Sequence, residues 1–494
     1  MPSVLKIVEN TGLTYEQKVV SLAQHAENSI TPIDLTFSER KLITDNIICT
    51  MNEGNAPYRP RYIVADFDKL MKHGCKFLGL NPPSDIWEAT NSLLIFYKHI
   101  PSITTMPVYI GNIDKLLNRF IIDEEEAYKA IRLFLLHIDK TITDSFCHSN
   151  LGPEETKAGN IILRVAKELN LPTPNITLKY NNKTSDEFAV NAINSALITA
   201  KPSFANDNIF HKNFNSDYAI ASCYNGLRVG GGSHTLVRVL LNKLAKSSIS
   251  INDFMENKLP ELIDNMSSLM DKRVKFIVEE SRFFENNFLV EEGFINLANF
   301  TAMFGLVGLA ECVNILTEDK EKRFGHDEKA NELGLKIIQT IDELINNHTA
   351  PYCQGSNNRY LLHAQVGISS DYNTTPGCRI PIGEEPMLYD HILQSAPFHK
   401  YFPSGIGDIF VFDKMYKKNP EALLDIIKGS FSNGLRYFSL YSDDSDVVRI
   451  SGYLVKKSEI EKLDNNKSVL RDTTCLGQNA RESLNVMNRK IRKQ

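Results

Sequence analysis

The 494-residue sequence lacks any C-x-x-C pair among its eight cysteines, has one tryptophan, and carries no large excess of charge of either sign. Each absence excludes something. Cys49, Cys75, Cys147, Cys223, Cys312, Cys353, Cys378 and Cys475 are scattered, so neither a zinc site nor a thioredoxin-like motif is supported. Such cysteines, in a chain without an export signal, read as thiols of a reducing compartment. The 55 basic and 60 acidic residues leave a net charge of −5, which gives no reason to expect nucleic acid or a membrane surface as partner. The longest apolar run, residues 302 to 310, stops at Glu311 and is too short to span a bilayer. Lys6, Glu9, Glu16 and Lys18 interrupt the first stretch where a secretory signal needs apolar residues, so the expected location is cytoplasmic. No internal repeat, low-complexity segment or clean linker is present, which favours one interlocked domain.

Against that background one glycine stands out. The string Val447-Val448-Arg449-Ile450-Ser451-Gly452-Tyr453-Leu454-Val455 places Gly452 inside a β-branched run, where glycine normally weakens a strand. One reading is a bulge or kink in an ordinary strand. The other is chemical. A radical on an α-carbon is stabilised when that carbon flattens between two amides, and a Cβ crowds the planar geometry.

A backbone radical needs a hydrogen-atom carrier to reach a substrate, and a neutral cysteine thiol suits that task. Residues 217 to 245 read as an apolar strand, a loop with Cys223, the triple glycine Gly230-Gly231-Gly232, and a helix capped by Ser233. Cys223 as a small core residue is one alternative. A phosphate cradle is another, but the string matches neither G-x-G-x-x-G nor the Walker pattern, with Gly232 where a lysine is needed.

Taken together these strings resemble the radical loop and the thiyl-cysteine loop of the glycyl radical enzymes, most like their YjjI family. Thr375-Pro376-Gly377-Cys378-Arg379 is similar to the Thr-Pro-Asp-Gly-Arg element of that superfamily, departing at its third and fourth positions. The resemblance implies an α/β fold: a ten-stranded β/α barrel of two antiparallel five-stranded half-barrels surrounded by helices, with the Cys loop and Gly loop inside. It implies a helical N-terminal part at 1–170, a barrel core at 171–440 with the Cys loop at 221–232, and a C-terminal glycyl radical segment at 441–494, all in one domain. It further implies a radical on Gly452, hydrogen abstraction by Cys223, and a radical S-adenosylmethionine activating enzyme as partner. The iron–sulfur cluster belongs to that activase, no metal is expected on this chain, and a homodimer is expected.

Departures from the superfamily's other branches narrow the chemistry. Ser222 precedes Cys223, so paired-cysteine acyl chemistry is not expected. Where dehydratases and decarboxylases carry a glutamate two residues after the cysteine, this chain has Asn225, which holds a hydroxyl but exchanges no proton near neutrality. Asn225, Arg379, Glu384 and Glu385 are the expected substrate-binding residues. The expected substrate is a small polyol, sugar-like or nucleoside-derived molecule undergoing C–O elimination or rearrangement. Ribonucleotide-like reduction and a non-catalytic ligand-binding role are the alternatives.

Apolar spacing predicts helices over 36–54, 82–100, 112–138 and 154–170, and a helical block over 252–347. Short strands are expected at 174–180, 407–412 and 435–441.

Overall fold

A computed structural model of the chain describes residues 4–493 apart from 52, 56, 103–106, 215–216, 319–321 and 365–370. The first strands are β1 (Ile48–Cys49), β2 (Tyr62–Val64), β3 (His148–Leu151), β4 (Asn175–Tyr180) and β5 (Ser203–Asn206). Then come β6 (Tyr218–Ala221), β7 (Asn225–Arg228), β8 (Gly231–Leu240), β9 (Phe300–Val307) and β10 (Leu361–Ala364). The last are β11 (Asp408–Phe412), β12 (Tyr437–Ser442), β13 (Val447–Arg449), β14 (Leu454–Lys456) and β15 (Ile491–Arg492).

Two sheets carry the architecture. One joins β1, β2, β8, β9 and β10; the other runs β15-β11-β12-β5-β4-β3, where β15 is a two-residue addition. Without β15 these are the two five-stranded halves of the expected ten-stranded α/β barrel. β8, β9 and β10 pair in parallel, as do β3, β4 and β5, whereas β12 meets β5 antiparallel. Two hairpins, β6–β7 and β13–β14, stand outside both sheets.

Local sequence explains the layers. β8, β9 and β12 are buried along their whole lengths, as strands covered on both faces are, and accordingly read as near-continuous apolar runs. From β3 to β5 the chain alternates strand and helix. Thr156 caps Lys157–Leu169 by accepting from the Gly159 amide at 2.9 Å, and Ser185 caps Asp186–Thr199 through Phe188 at 3.1 Å. In the first of these helices Ala158, Ile161, Ile162, Val165 and Ala166 form the buried face, at the three-to-four spacing that predicted it.

Several expectations are corrected. Ser233 caps no helix: residues 231–240 are β8, and Ser233 pairs with Tyr62 across the sheet. The run Leu236-Val237-Arg238-Val239-Leu240 is β-branched and buried on both faces, so strand wins over helix. The predicted 36–54 helix ends at Thr44 and gives way to β1, and 112–138 divides into Ile113–Asn118 and Glu124–Thr141. The helical block at 252–347 is interrupted by β9. Because β1, β2 and β3 lie before residue 170, the N-terminal part supplies barrel strands as well as helices. The strands expected near 174–180, 407–412 and 435–441 are β4, β11 and β12.

Candidate active site

Cys223 sits at the tip of the β6–β7 hairpin, which polar side chains from the barrel strands hold in place. On β3, His148 and Asn150 are two residues apart and therefore share a face. Asn150 clasps Ile220 from both sides, accepting from its amide and donating to its carbonyl, each at 2.9 Å. His148 Nδ1 donates to Ser222 O at 2.9 Å. Burial lowers the His148 imidazole to about 3, so it is neutral and its Nε2 accepts, from Thr177 Oγ1 at 2.7 Å. Thr177 in turn accepts from the Tyr437 hydroxyl at 2.7 Å, and the same hydroxyl faces Cys223 O at 3.2 Å. Backbone contacts finish the grip: Ser222 N to Val108 O at 2.9 Å and Gly226 N to Ser404 O at 3.1 Å. Gly405, at φ +137°, lies so close that an added Cβ would stand 2.5 Å from Tyr224 O.

The thiol itself is buried and neutral. Its surroundings push it up to about 12, chiefly through loss of water, and its S–H donates to Asn225 Oδ1 at 3.1 Å. A nucleophilic cysteine needs the opposite environment. Asn225 spends its oxygen on the thiol, and its buried Nδ2 has no partner.

Gly452 lies in the bend between β13 and β14, not inside a strand, and is buried with Ser451 and Tyr453. The hairpin packs in an apolar cluster with Val447, Val448, Ile450, Leu454 and Val455. Asn175 Nδ2 donates to Gly452 O at 3.2 Å, and Arg449 Nη2 donates to Asn175 Oδ1 at 3.1 Å. From the chain end, Arg489 donates to the carbonyls of Arg449 and Ile450.

The two loops meet over one strand. Asn175, which holds Gly452, and Thr177, which is linked through Tyr437 and His148 to the Cys223 turn, are two residues apart on β4. They therefore share its face with a spacing of roughly 6–7 Å. Both turns, that of Gly452 and that of Cys223, are thereby tied to one face of the same strand.

Arg379 joins them and the glutamates do not. Glu311 accepts from the Thr375 amide at 3.0 Å and from its hydroxyl, which anchors the Thr375–Arg379 turn. Arg379 Nε donates to Gly407 O at 2.7 Å, and its guanidinium lies 5.9 Å from the centre of the Tyr224 ring. Glu384 is partly exposed and pairs with Arg323 at 2.8 Å. Glu385 is buried but accepts from the Gly383 amide at 2.8 Å and from Lys490 N at 3.4 Å. Both glutamates, expected in the substrate wall, are thus held by Arg323 and by backbone amides. Asp371, from the same stretch, pairs with Arg238 deep in the barrel.

His148, Asn150, Asn175, Thr177 and Tyr437 carry the site's geometry and were not singled out from sequence. On β4 their signal was Asn175 and Thr177 alternating with Ile176 and Leu178; β3, reading His148-Ser149-Asn150-Leu151, carries no such alternation. His363 is a further one: its ring lies 5.6 Å from that of Tyr224, and Nδ1 donates to Ser404 O at 3.3 Å, leaving Nε2 as the acceptor. Burial holds this imidazole down at about 4.

The α/β barrel is also the fold of solved glycyl radical enzymes and anaerobic ribonucleotide reductases. The structure superposes on the anaerobic ribonucleotide reductase of Thermotoga maritima with a TM-score of 0.67 at 14% identity, covering 86% of this chain and 85% of that one. It matches the B12-independent glycerol dehydratase of Clostridium butyricum with a TM-score of 0.66 at 11% identity, covering 99% and 88%. At these identities the likeness concerns the fold. Sequence comparison gives the family: residues 13–492 match the description "Glycyl radical enzyme YjjI-like", and the chain belongs to that family. It is 47% identical to an uncharacterised protein of Haemophilus influenzae, over 100% of this chain and 98% of that protein. It is 38% identical to the uncharacterised protein YjjI of Escherichia coli K12, over 99% and 95%.

Proposed function

We propose that Gly452 stores the radical, that Cys223 carries the hydrogen atom, and that the substrate is a small hydroxylated molecule losing a C–O bond. The observation that carries this reading is the neutral buried thiol on the same barrel face as Gly452. The radical supplies the cleavage of an unactivated C–H bond; the protein supplies positioning and exclusion of water. Cys223 passes its sulfur hydrogen to the Gly452 α-carbon and takes one from a substrate C–H. Asn225 aligns a hydroxyl beside that carbon. The neighbouring hydroxyl then leaves as water, taking the proton that the first hydroxyl loses as it becomes a carbonyl. Cys223 returns a hydrogen atom to the substrate and recovers its own from Gly452. The net change is a diol converted to a carbonyl compound plus water, with the radical regenerated. His363 Nε2 is suited to accept the hydroxyl proton in transit.

This reading takes the first radical from a separate partner, a radical S-adenosylmethionine activase. A homodimer working in the reducing cytoplasm belongs to the same reading. Anaerobic activation followed by electron paramagnetic resonance tests it: a glycyl doublet is expected, absent in Gly452→Ala. Activated enzyme is then screened against diols, deoxysugars, nucleosides, amino acids and aryl acids. Loss of water from the hydroxylated compounds is the expected result. Carbon dioxide release from aryl acids alone overturns the elimination chemistry, and absence of any doublet overturns the class of mechanism.

A further inference from the structure

Cationic groups converge on the space beside Cys223. The charged groups acting on its thiol are Arg379 and Arg61, and Arg61 is already tied to Glu53 at 3.2 Å. Arg449 is fully buried, yet its partners are neutral: Ala200 O at 2.9 Å and Asn175 Oδ1 at 3.1 Å. Arg489 likewise bonds the carbonyls of Arg449, Ile450 and Val486. Neither forms an ion pair among the described residues, although the Glu385 carboxylate acts on Arg489 from a distance, and burial lowers both guanidinium groups. Buried positive charge without a counter-ion is costly unless something else supplies the negative charge.

Arg379 shows where that charge belongs. It is only 9% exposed, Nε is satisfied by Gly407 O, and Nη1 and Nη2 are both buried without a partner. Asp408 approaches from the Nε side at 3.7 Å, and its other oxygen is taken by Ser395 at 2.6 Å. Arg379 lines, with Tyr224, Gly377 and Asp408, a cleft next to the cysteine turn that is closed to a water-sized molecule in this structure, so an anion would enter it only as the side chains part. Asn225 Nδ2 is the third orphan donor. Three donor nitrogens without partners, beside buried guanidinium groups, call for an acceptor-rich anion, and a guanidinium end matches the paired oxygens of an oxyanion.

We propose that the substrate carries an oxyanion, a carboxylate or a phosphate ester, which Arg379 binds through Nη1 and Nη2 while Asn225 Nδ2 donates to a substrate oxygen at the reacting carbon. This rests on Cys223 being the hydrogen-abstracting residue, and it narrows the hydroxylated substrate to an anionic one. The test uses the unactivated full chain, so that binding is read without turnover. Inorganic phosphate, glycolate and neutral glycerol are titrated by calorimetry into wild type, Arg379→Gln and Arg379→Lys. One of the two anions should bind wild type, with glycerol weaker. Arg379→Gln should lose about ten-fold or more in affinity, and Arg379→Lys should fall between. Phosphate binding alone points to a phosphate ester, and glycolate binding alone to a hydroxy acid. Equal anion affinity in wild type and a folded Arg379→Gln, or no anion binding at all, overturns the proposal. Should Arg379→Gln fail to fold, Arg379→Lys with unchanged wild-type affinity overturns it in the same way. The Gly452 doublet is measured alongside: its presence without anion binding removes this inference only, whereas its absence removes the reading beneath it.

Discussion

The two hairpins that meet over β4 are held in opposite ways. The β6–β7 hairpin is gripped by side chains rooted in barrel strands: Asn150 and His148 from β3, and Thr177 and Tyr437 from β4 and β12. The β13–β14 hairpin receives one such side chain, Asn175, and otherwise relies on its own Arg449, which donates to Ala200 O at 2.9 Å, on apolar packing, on Ser145 and on an arginine from the chain end. Its covering strand β15 adds only two residues to the edge of the second sheet, fixed by Arg492 to Pro386 O at 2.6 Å and His391 at 2.8 Å. On the proposed reading, a cysteine that stays beside its substrate is built into the barrel, and a glycine that reaches an activase is closed in by parts at the end of the chain. The difference suits opening of the segment from about Asp443 to the chain end as a unit.

The sharpest break in this comparison is chemical. Gly452→Ala should abolish both the radical signal and oxygen-dependent chain cleavage. In the activated wild type, air should release a tail of 42 residues (494 − 452), beginning near Tyr453. Cys223→Ala should keep the doublet and lose all turnover, because the thiol acts after storage. A radical that persists in Gly452→Ala, or fails to form in a folded Cys223→Ala, breaks the division of labour. Resonance spectra and mass spectrometry of the cleaved chain read these outcomes.

Arg489→Met addresses the strap. It strips hydrogen bonds from buried carbonyls of Arg449, Ile450 and Val486, at a cost of about 1–3 kcal/mol each. Two of these carbonyls belong to the β13–β14 hairpin, which should therefore open roughly thirty-fold more often or beyond, seen as faster hydrogen exchange at Ile450 and Leu454. Exchange at Ile220 and Ser222, held by Asn150 and Val108, should stay as in wild type. Equal acceleration in both hairpins would mean that they open together.

The sequence spoke clearly where chemistry restricts residue choice and poorly where packing does. Gly452 and Cys223 stood out because few other functions need those residues in those surroundings, and each lies buried on a hairpin. Arg379 was legible through its short motif. Glu384 and Glu385 were misplaced because neighbouring residues on one loop face different ways: one meets Arg323 at the surface and the other latches Lys490. β8 was misread because its apolar residues suit helix and strand alike, and only burial on both faces decides between them. The grip of His148, Asn150, Asn175 and Thr177 went unseen because each of the four holds a partner 70 or more residues away. No local pattern reports such a separation.

A smaller effect is expected on the cysteine side. Tyr437→Phe removes the hydroxyl shared by Thr177 and Cys223 O while keeping the ring. Loss of about 1–2 kcal/mol in urea unfolding is expected, with the Gly452 doublet intact and turnover reduced. Loss of the doublet in this variant would show that storage also depends on the cysteine grip.

The smallest effect concerns the thiol's proton. Burial raises Cys223 from an ordinary value of 9.0 to about 12, so between these limits the unfolded thiol ionises while the native one keeps its hydrogen. The native state then binds more protons, and stability falls as pH rises above the unfolded value. At about pH 10 the loss from this group alone should be about 1 kcal/mol relative to about pH 8. Comparing wild type with Cys223→Ser at both pH values isolates it, since serine does not titrate there and the other groups cancel between the two proteins. Wild type should lose more stability than the variant over this interval. Parallel losses would mean that Cys223 ionises as readily in the folded barrel as in water, and a thiolate there has no hydrogen atom to give.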